Sequence, residues 1–600
     1  MKKILLSITF ALMGIASGFA AKAHTALTTI TQSDGSQLTI RLHGDEHFSW
    51  YSTADNVLLV QVGNNYYVAQ VEEDGTLKAT PQLAHNAGER GTVEEQVINN
   101  QNKEKFLNSL NAEPQALAKP IGTVTPAYFP HTGSPKALVI LVEFQDVKFK
   151  TSDPVATFTH YLKGADGEEA PEANNAYVTK GMVNYGSVSQ YFKDMSQGQF
   201  KPQFDIVGPV TVSKNSAYYG GNTGRTDANF AKMIAEACKG VSDKVNFADY
   251  DLNNDGYVDL VYVIYAGYSE SINGNSSDCL WPKSGTNAFY EPGTNNLLKL
   301  NGKRICRYGI NNELNGTPKN WIEGKPLLNG IGLFCHEFSH TMGLPDLYPT
   351  VETSRVDNQN PEYWDLMDGG EYTYSGYFPT PYSPWEMEVM GWTTPVELGD
   401  EAKQVNLNSY ASDRTTYKIN GKNDEYLLIQ NIQTDGWWRG ITKAYNTGML
   451  VWRIDYPYTT VSLDNRLNNE IGKPNVMIVP ADGYVISAYN VTDDDESKAK
   501  YKASLKADPF PGANNVPELL SVKLNKSTLK KPFYNIKETN GVITFDYLKD
   551  YATGIDQTLA DKDTEKNQSI FSLDGRYLGN DASKLTKGIY IIGKKKVVIK

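Results

Sequence analysis

The first pattern along the chain is a basic start, Lys2 and Lys3, followed by a mostly apolar run from Ile4 to Ala16. Small residues at Ala21 and Ala23 stand at the positions a signal peptidase reads, so residues 1–23 are predicted to be an export signal. Cleavage falls after Ala23 or, on a second reading, after Ala20. The run is too short to cross ~30 Å of hydrocarbon comfortably. No cysteine stands at the cleavage site to take a lipid, and no later stretch is apolar and long enough to insert stably in a membrane. From Ala26 to Arg90 short apolar runs alternate with turn residues. Leu38–Leu42, Val57–Val60 and Tyr66–Ala69 are predicted strands. Residues 90–120, rich in Gln, Asn, Glu and Lys, predict a helical or loose linker.

The pattern then changes. Ala137 to Phe144 is almost continuously apolar, as suits a strand inside a sheet. Val188, Tyr191, Phe192 and Met195 recur at helical spacing after Ser187 and stop at Gly198. Phe230, Met233, Ile234, Ala237, Cys238 and Val241 mark a second amphipathic helix. Phe200–Val212 and Val258–Ala266 are predicted strands. Ile331, Leu333, Phe334, Phe338 and Met342 cover most sides of a buried helix. After Trp392 only short strands with turns follow, among them Glu425–Asn431, Gly448–Asp455 and Val476–Gly483. They predict a β-sandwich over residues 396–550. Residues 551–600 are predicted to be a polar, acidic linker followed by short strands, Ile570–Arg576 and Lys587–Lys600, with a glycine turn and a basic end. The fold class expected is an α/β (α+β) domain over residues 131–395, preceded by a β-rich segment over 24–130 and followed by the sandwich.

Composition narrows the classes. A chain of 600 residues with a net charge of −12 offers no basic surface for nucleic acid or for a membrane face. Four cysteines in this length do not make a disulfide scaffold, although Cys279 and Cys306 could pair in an oxidising compartment.

The chemistry concentrates in one helix. His336 and His340 stand four residues apart, about 40° apart around the axis and roughly 6 Å along it, so both can hold one zinc ion. Glu337 follows the first histidine and can act as general base on a water whose pKa zinc lowers. None of the eight histidines follows His340, so a third ligand downstream is a carboxylate. Gly343 can end the helix, Pro345 stiffens the return, and Asp346 is the nearest candidate. Glu371 and Glu386 are its rivals. Cys335, about 100° from His336 on the helix, is read as a core residue, with a metal contact as the alternative.

A second oxygen cluster has Asp251, Asn253, Asp255 and Asp259 around Gly256. It matches the first half of a calcium loop and would hold structural Ca2+. Tyr262 stands where the loop's closing glutamate belongs, and an Asx-rich turn is the other reading.

His336-Glu337-x-x-His340-x-x-Gly343-x-x-Asp346 resembles the metzincin zinc motif with aspartate as its last ligand. Trp364-Asp365-Leu366-Met367-Asp368-Gly369-Gly370 resembles the matching Met-turn. Together with Ser383-Pro384-Trp385-Glu386, they resemble the immune inhibitor A family of secreted bacterial metallopeptidases. The resemblance implies a structural Met367 packed beneath the zinc, a cleft below the sheet, and a propeptide over residues 24–130, for which a permanent small β-domain is the alternative. Residues 551–600 resemble a C-terminal sorting domain of the Bacteroidota type IX secretion route, which would engage secretion machinery. The expectation is a secreted zinc endopeptidase acting on proteins or glycoproteins, with Tyr372, Tyr374 or Tyr377 available to hold an oxyanion. Its competitor is a surface adhesin or glycan-binding protein with a degenerate peptidase domain.

Overall fold

Every residue from Ala137 to Val142 is buried, which places this apolar run inside a sheet covered on both faces. The computed structural model describes residues 23, 27–44, 49–111, 129–164, 184–222, 227–272, 278–317, 326–351, 354–355, 361–456, 467–492, 494–551, 570–573, 576–579, 584–592 and 595–599. The export-signal reading falls almost wholly outside them, as does most of the polar linker after residue 551. Residues through Leu548 form one compact unit and Lys549–Lys600 a second.

The central sheet has five strands in the spatial order Lys283–Thr286, Arg307–Asn312, Val261–Tyr265, Lys136–Glu143 and Gln203–Thr211. All neighbours are parallel except the edge strand Lys283–Thr286, which runs antiparallel to Arg307–Asn312. Alternate residues serve opposite faces. Leu138, Ile140 and Val142 pack with Met233, Ile234 and Ala237 of helix Phe230–Gly240. Ala137, Val139 and Leu141 share a core with helices Pro154–Lys163, Val188–Met195 and Ile331–Thr341. Two of these helices start where local chemistry says they should. Ser187 accepts from the Gln190 N–H, and Asp153 accepts from the Ala156 N–H ahead of Pro154 at the first turn.

The N-terminal segment is an antiparallel meander of six strands, from Thr28–Thr31 to Leu77–Leu83. Leu38, Ile40 and Leu42 point inward from strand Gln37–Gly44 while the residues between them are more exposed. Ala23 is buried in the same core and donates its N–H to the Gly44 carbonyl at 2.8 Å. A cut after Ala20 keeps that contact, and a cut after Ala23 removes it. The polar stretch from residue 90 holds two short helices, Thr92–Asn99 and Lys103–Asn111, that pack on the meander. Phe106 anchors the second against Trp50 and Leu58.

Beyond Trp392 a five-stranded and a three-stranded sheet face each other. Leu427, Ile429, Met449 and Val451 of the larger sheet meet Val405, Leu407, Phe533, Ile543 and Phe545 of the smaller. The opposite face of the larger sheet, with Leu428, Leu450 and Trp452, joins the core that contains the His336 helix. This region is not strands alone, as its sequence pattern predicts. Helices Trp438–Ala444 and Asp495–Ala507 interrupt it. The second is capped by the Asp494 side chain and carries Asp495 and Glu496 in its first turn, but buries few side chains, so its periodicity is faint. The second unit is a four-stranded antiparallel sheet built by Tyr577–Gly579, Ile570–Ser572, Gly588–Ile592 and Lys595–Ile599. Among the described residues no helix is long and apolar enough to cross a membrane.

Candidate active site

Helix Ile331–Thr341 is buried along its whole length. Its start lies against the backbone of the turn that follows Met367. A Cβ at Gly332 would stand 1.9 Å from the Glu371 carbonyl oxygen, so only glycine fits there. At the other end Gly343 has φ 98°, and two bonds close the helix. Gly343 N–H donates to His340 O and Leu344 N–H to Ser339 O, the Schellman arrangement. The chain then reverses and delivers Asp346 back to the helix face.

Three donor atoms converge there. His336 Nε2 lies 3.2 Å from His340 Nε2 and 3.2 Å from Asp346 Oδ1, and His340 Nε2 lies 3.4 Å from Asp346 Oδ1. Tetrahedral zinc, at about 2.0–2.1 Å from N and O donors, needs ligand–ligand edges of about 3.3 Å. The residues present therefore fit zinc. Each histidine also has its other nitrogen engaged: His336 Nδ1 with Leu366 O at 3.1 Å, His340 Nδ1 with Leu344 O at 2.7 Å. With Nδ1 as donor, the tautomer leaves the Nε2 lone pair turned inward. Burial alone would raise the Asp346 carboxyl, but the two histidines hold it well below the usual carboxylate range.

The rivals for third ligand stand elsewhere. Glu371 Oε1 lies 3.8 Å from His336 Nδ1, the nitrogen already turned to Leu366 O. Glu386 closes a capping box with Ser383 on helix Pro384–Val389. Burial first, then Asp365, pushes its carboxyl far above the usual range. Met367 is fully buried in the core of the His336 helix, and its carbonyl accepts from Leu347 N–H at 2.8 Å. Thus the turn holds both His336, through Leu366, and the return that carries Asp346. Cys335 lies in the apolar core and its thiol is pushed up by burial, away from the metal donors.

Glu337 is met by a residue the sequence pattern does not single out. Ser284 Oγ, on the edge strand, lies 2.9 Å from Glu337 Oε2 and 2.5 Å from Glu337 O. Of the three tyrosines, Tyr377 donates to the Leu328 carbonyl. The Tyr372 hydroxyl, raised by burial and then by Glu371, also feels Glu337. Tyr374 is only partly buried.

Asp251, Asp255 and Asp259 do come together, with ligand atoms within 4.8 Å of one another. Their oxygens are largely occupied by protein donors. Lys303 Nζ sits 2.6 Å from Asp251 Oδ2, and Arg307 bonds Asp255 at 2.6 Å and Asp259 at 3.1 Å. Backbone N–H groups of Asp255 and Gly256 turn to Asp251, and that of Leu252 to Asp259. Asn253 Oδ1 accepts from the Asp255 N–H, a bond of the Asx-turn type, and Lys303 and Arg307 brace the loop. Cys279 and Cys306 form no disulfide with each other.

Residues 128–392 match the model of the immune inhibitor A peptidase M6 catalytic domain. The chain is 24% identical over 281 residues to pre-pro-metalloprotease PrtV of Vibrio cholerae serotype O1, covering 42% of this chain and 29% of that one. It is 24% identical over 323 residues to immune inhibitor A of Bacillus thuringiensis subsp. alesti, covering 47% of this chain and 44% of that one. The chain thus spans less than half the length of either relative. His336, His340 and Asp346 all lie within the segment, residues 128–392, that is similar to the immune inhibitor A peptidase M6 catalytic domain.

Proposed function

We propose that this chain is a secreted, zinc-dependent endopeptidase that hydrolyses peptide bonds in extracellular proteins. The observation that carries the reading is the triangle of His336 Nε2, His340 Nε2 and Asp346 Oδ1, whose edges of 3.2, 3.2 and 3.4 Å suit a tetrahedral ion. Held there, zinc supplies Lewis acidity and lowers the pKa of a water. Glu337, next to the first ligand, takes the proton of the attacking water and later delivers it to the leaving amine. Ser284 keeps the Glu337 carboxylate aimed from the edge strand. Tyr372 and Tyr374 are the candidates to steady an oxyanion, since the Tyr377 hydroxyl donates to the Leu328 carbonyl.

In this reading residues 1–23 direct export, residues 24–130 are a propeptide, and residues 551–600 serve delivery by secretion machinery. The M6 match and the names of the relatives support a metallopeptidase over an adhesin with a degenerate domain, and so does the intact set of His336, Glu337, His340 and Asp346. The test is Glu337→Gln in the mature protein. Zinc content should stay at the wild-type level while turnover of a denatured protein substrate falls roughly 10²–10⁴-fold. Turnover at the wild-type level would remove Glu337 from the mechanism.

A further inference from the structure

We propose that Trp281, with Glu270 beside it, is a docking site for the chain's own N-terminal β-module, and that it retains the module after the connection between Asn111 and Phe129 is cut. The inference rests on the propeptide reading above.

Trp281 belongs by sequence to the peptidase segment, yet its side chain is fully buried among Leu38, Ile40, Leu42, Tyr51 and Val68 of the meander. Among the described residues every other buried member of that core comes from the module. A tryptophan buries about 150–250 Å² and is the side chain most often found as the anchor of an interface. The peptidase side holds its backbone in place. Trp281 N–H donates to Asp227 Oδ2 at 3.0 Å, and the same oxygen pairs with Lys283 Nζ at 2.6 Å. The preceding carbonyl, Leu280 O, accepts from the Tyr265 hydroxyl at 2.6 Å. The indole is therefore presented on a fixed base, which lowers the entropy lost on docking. A polar contact flanks it. Ser49 Oγ of the module donates to Glu270 Oε1 at 3.2 Å, and Asn222 Nδ2 donates to the same oxygen at 2.9 Å. Glu270 is fully buried, and its carboxyl is pushed up by burial and by Asp227. An anchor inside the partner's core resembles a domain core cut in two, which is the character of permanent rather than transient interfaces.

The position matters for regulation. Trp281 stands two residues before the edge strand Lys283–Thr286, and Ser284 on that strand touches Glu337. A module that stays on Trp281 stays next to the strand that touches Glu337. Cutting the connection is then insufficient for activation, and the module must be displaced or degraded as well.

The experiment uses the full chain carrying Glu337→Gln, so that it cannot digest itself, with a specific protease site inserted between Asn111 and Phe129. After complete cutting at micromolar protein, the N-terminal fragment should co-elute with the remainder in size-exclusion chromatography. Trp281→Ala should weaken this retention on the order of 10²–10³-fold and release the fragment. Trp281→Phe, which keeps a ring and guards against misfolding of the alanine variant, should lose less. Release of the fragment from the cut parent would overturn the proposal, as would unchanged retention in both variants. The readout is association and not proteolysis, so it stands or falls separately from the metallopeptidase reading.

Discussion

Ser284 and Glu337 join the edge strand to the His336 helix: the serine hydroxyl lies 2.9 Å from the carboxylate Oε2 and 2.5 Å from the backbone oxygen of the same residue. One edge-strand side chain thus holds both the helix backbone and the Glu337 carboxylate. Ser284→Ala should lower kcat about tenfold, the loss expected from about 1.4 kcal/mol of positioning, with KM and zinc content near wild type. Ser284→Thr, which restores a hydroxyl, should recover most of the rate. Steady-state kinetics on a fluorogenic peptide checks both variants. A rise in KM with kcat unchanged would mean that Ser284 binds substrate instead.

Gly332 marks the closest approach of the His336 helix to the turn after Met367. An alanine there places Cβ 1.9 Å from the Glu371 carbonyl, with backbone on both sides and no flexible side chain to yield. Gly332→Ala should destabilise the protein by about 3 kcal/mol, at the upper end of ordinary overpacking, and should weaken zinc binding because the histidines move with the helix. Chemical denaturation and metal content report the two effects.

Glu386 and Asp365 form a buried acid pair beside Met367. Asp365 Oδ1 accepts from Met367 N–H at 2.6 Å and Oδ2 from Ser383 N–H at 2.7 Å. Burial and then Asp365 raise the Glu386 pKa well above its ordinary value. A carboxyl with a raised folded-state pKa favours folding fully below its unfolded pKa, near 4.5, and loses that contribution as pH rises through the folded value. Stability of the wild type should therefore decline on the alkaline side, by at most about 1.4 kcal/mol per pH unit for one proton. Glu386→Gln, neutral throughout, should flatten that slope and retain zinc. Denaturation midpoints measured across pH check the sign.

The readable parts of the site are local in sequence. His336, Glu337 and His340 share one helical face, and Gly343, Pro345 and Asp346 form the return within six residues of it, so spacing and turn chemistry suffice. The strands Lys136–Glu143 and Val261–Tyr265 are readable for a similar reason, being apolar on both faces. Ser284 and Trp281 are not readable. Ser284 reaches Glu337 only because Lys283–Thr286 is the edge of a sheet whose order does not follow the chain. Trp281 reaches the meander core from 197 or more positions away, and its own surroundings in sequence carry no periodic signal. Helix Asp495–Ala507 escapes detection because Tyr501 and Leu505 are almost its only large apolar side chains and lysine dominates the rest. The Asp251–Asp259 loop is legible only in part. Its motif is readable, but Lys303 and Arg307, which bond its oxygens, come from two later strands that no local pattern links to it.

The central claim is that His336, His340 and Asp346, and no glutamate, hold the metal. It is tested most directly by the zinc content of purified mature variants after dialysis against a weak chelator. The account predicts that Asp346→Ala retains little zinc, since two histidines leave the ion under-coordinated, while Glu371→Ala and Glu386→Gln each keep one zinc per chain. Zinc kept by Asp346→Ala and lost from Glu371→Ala or Glu386→Gln would contradict it and move the third ligand to the turn after Met367 or to helix Pro384–Val389.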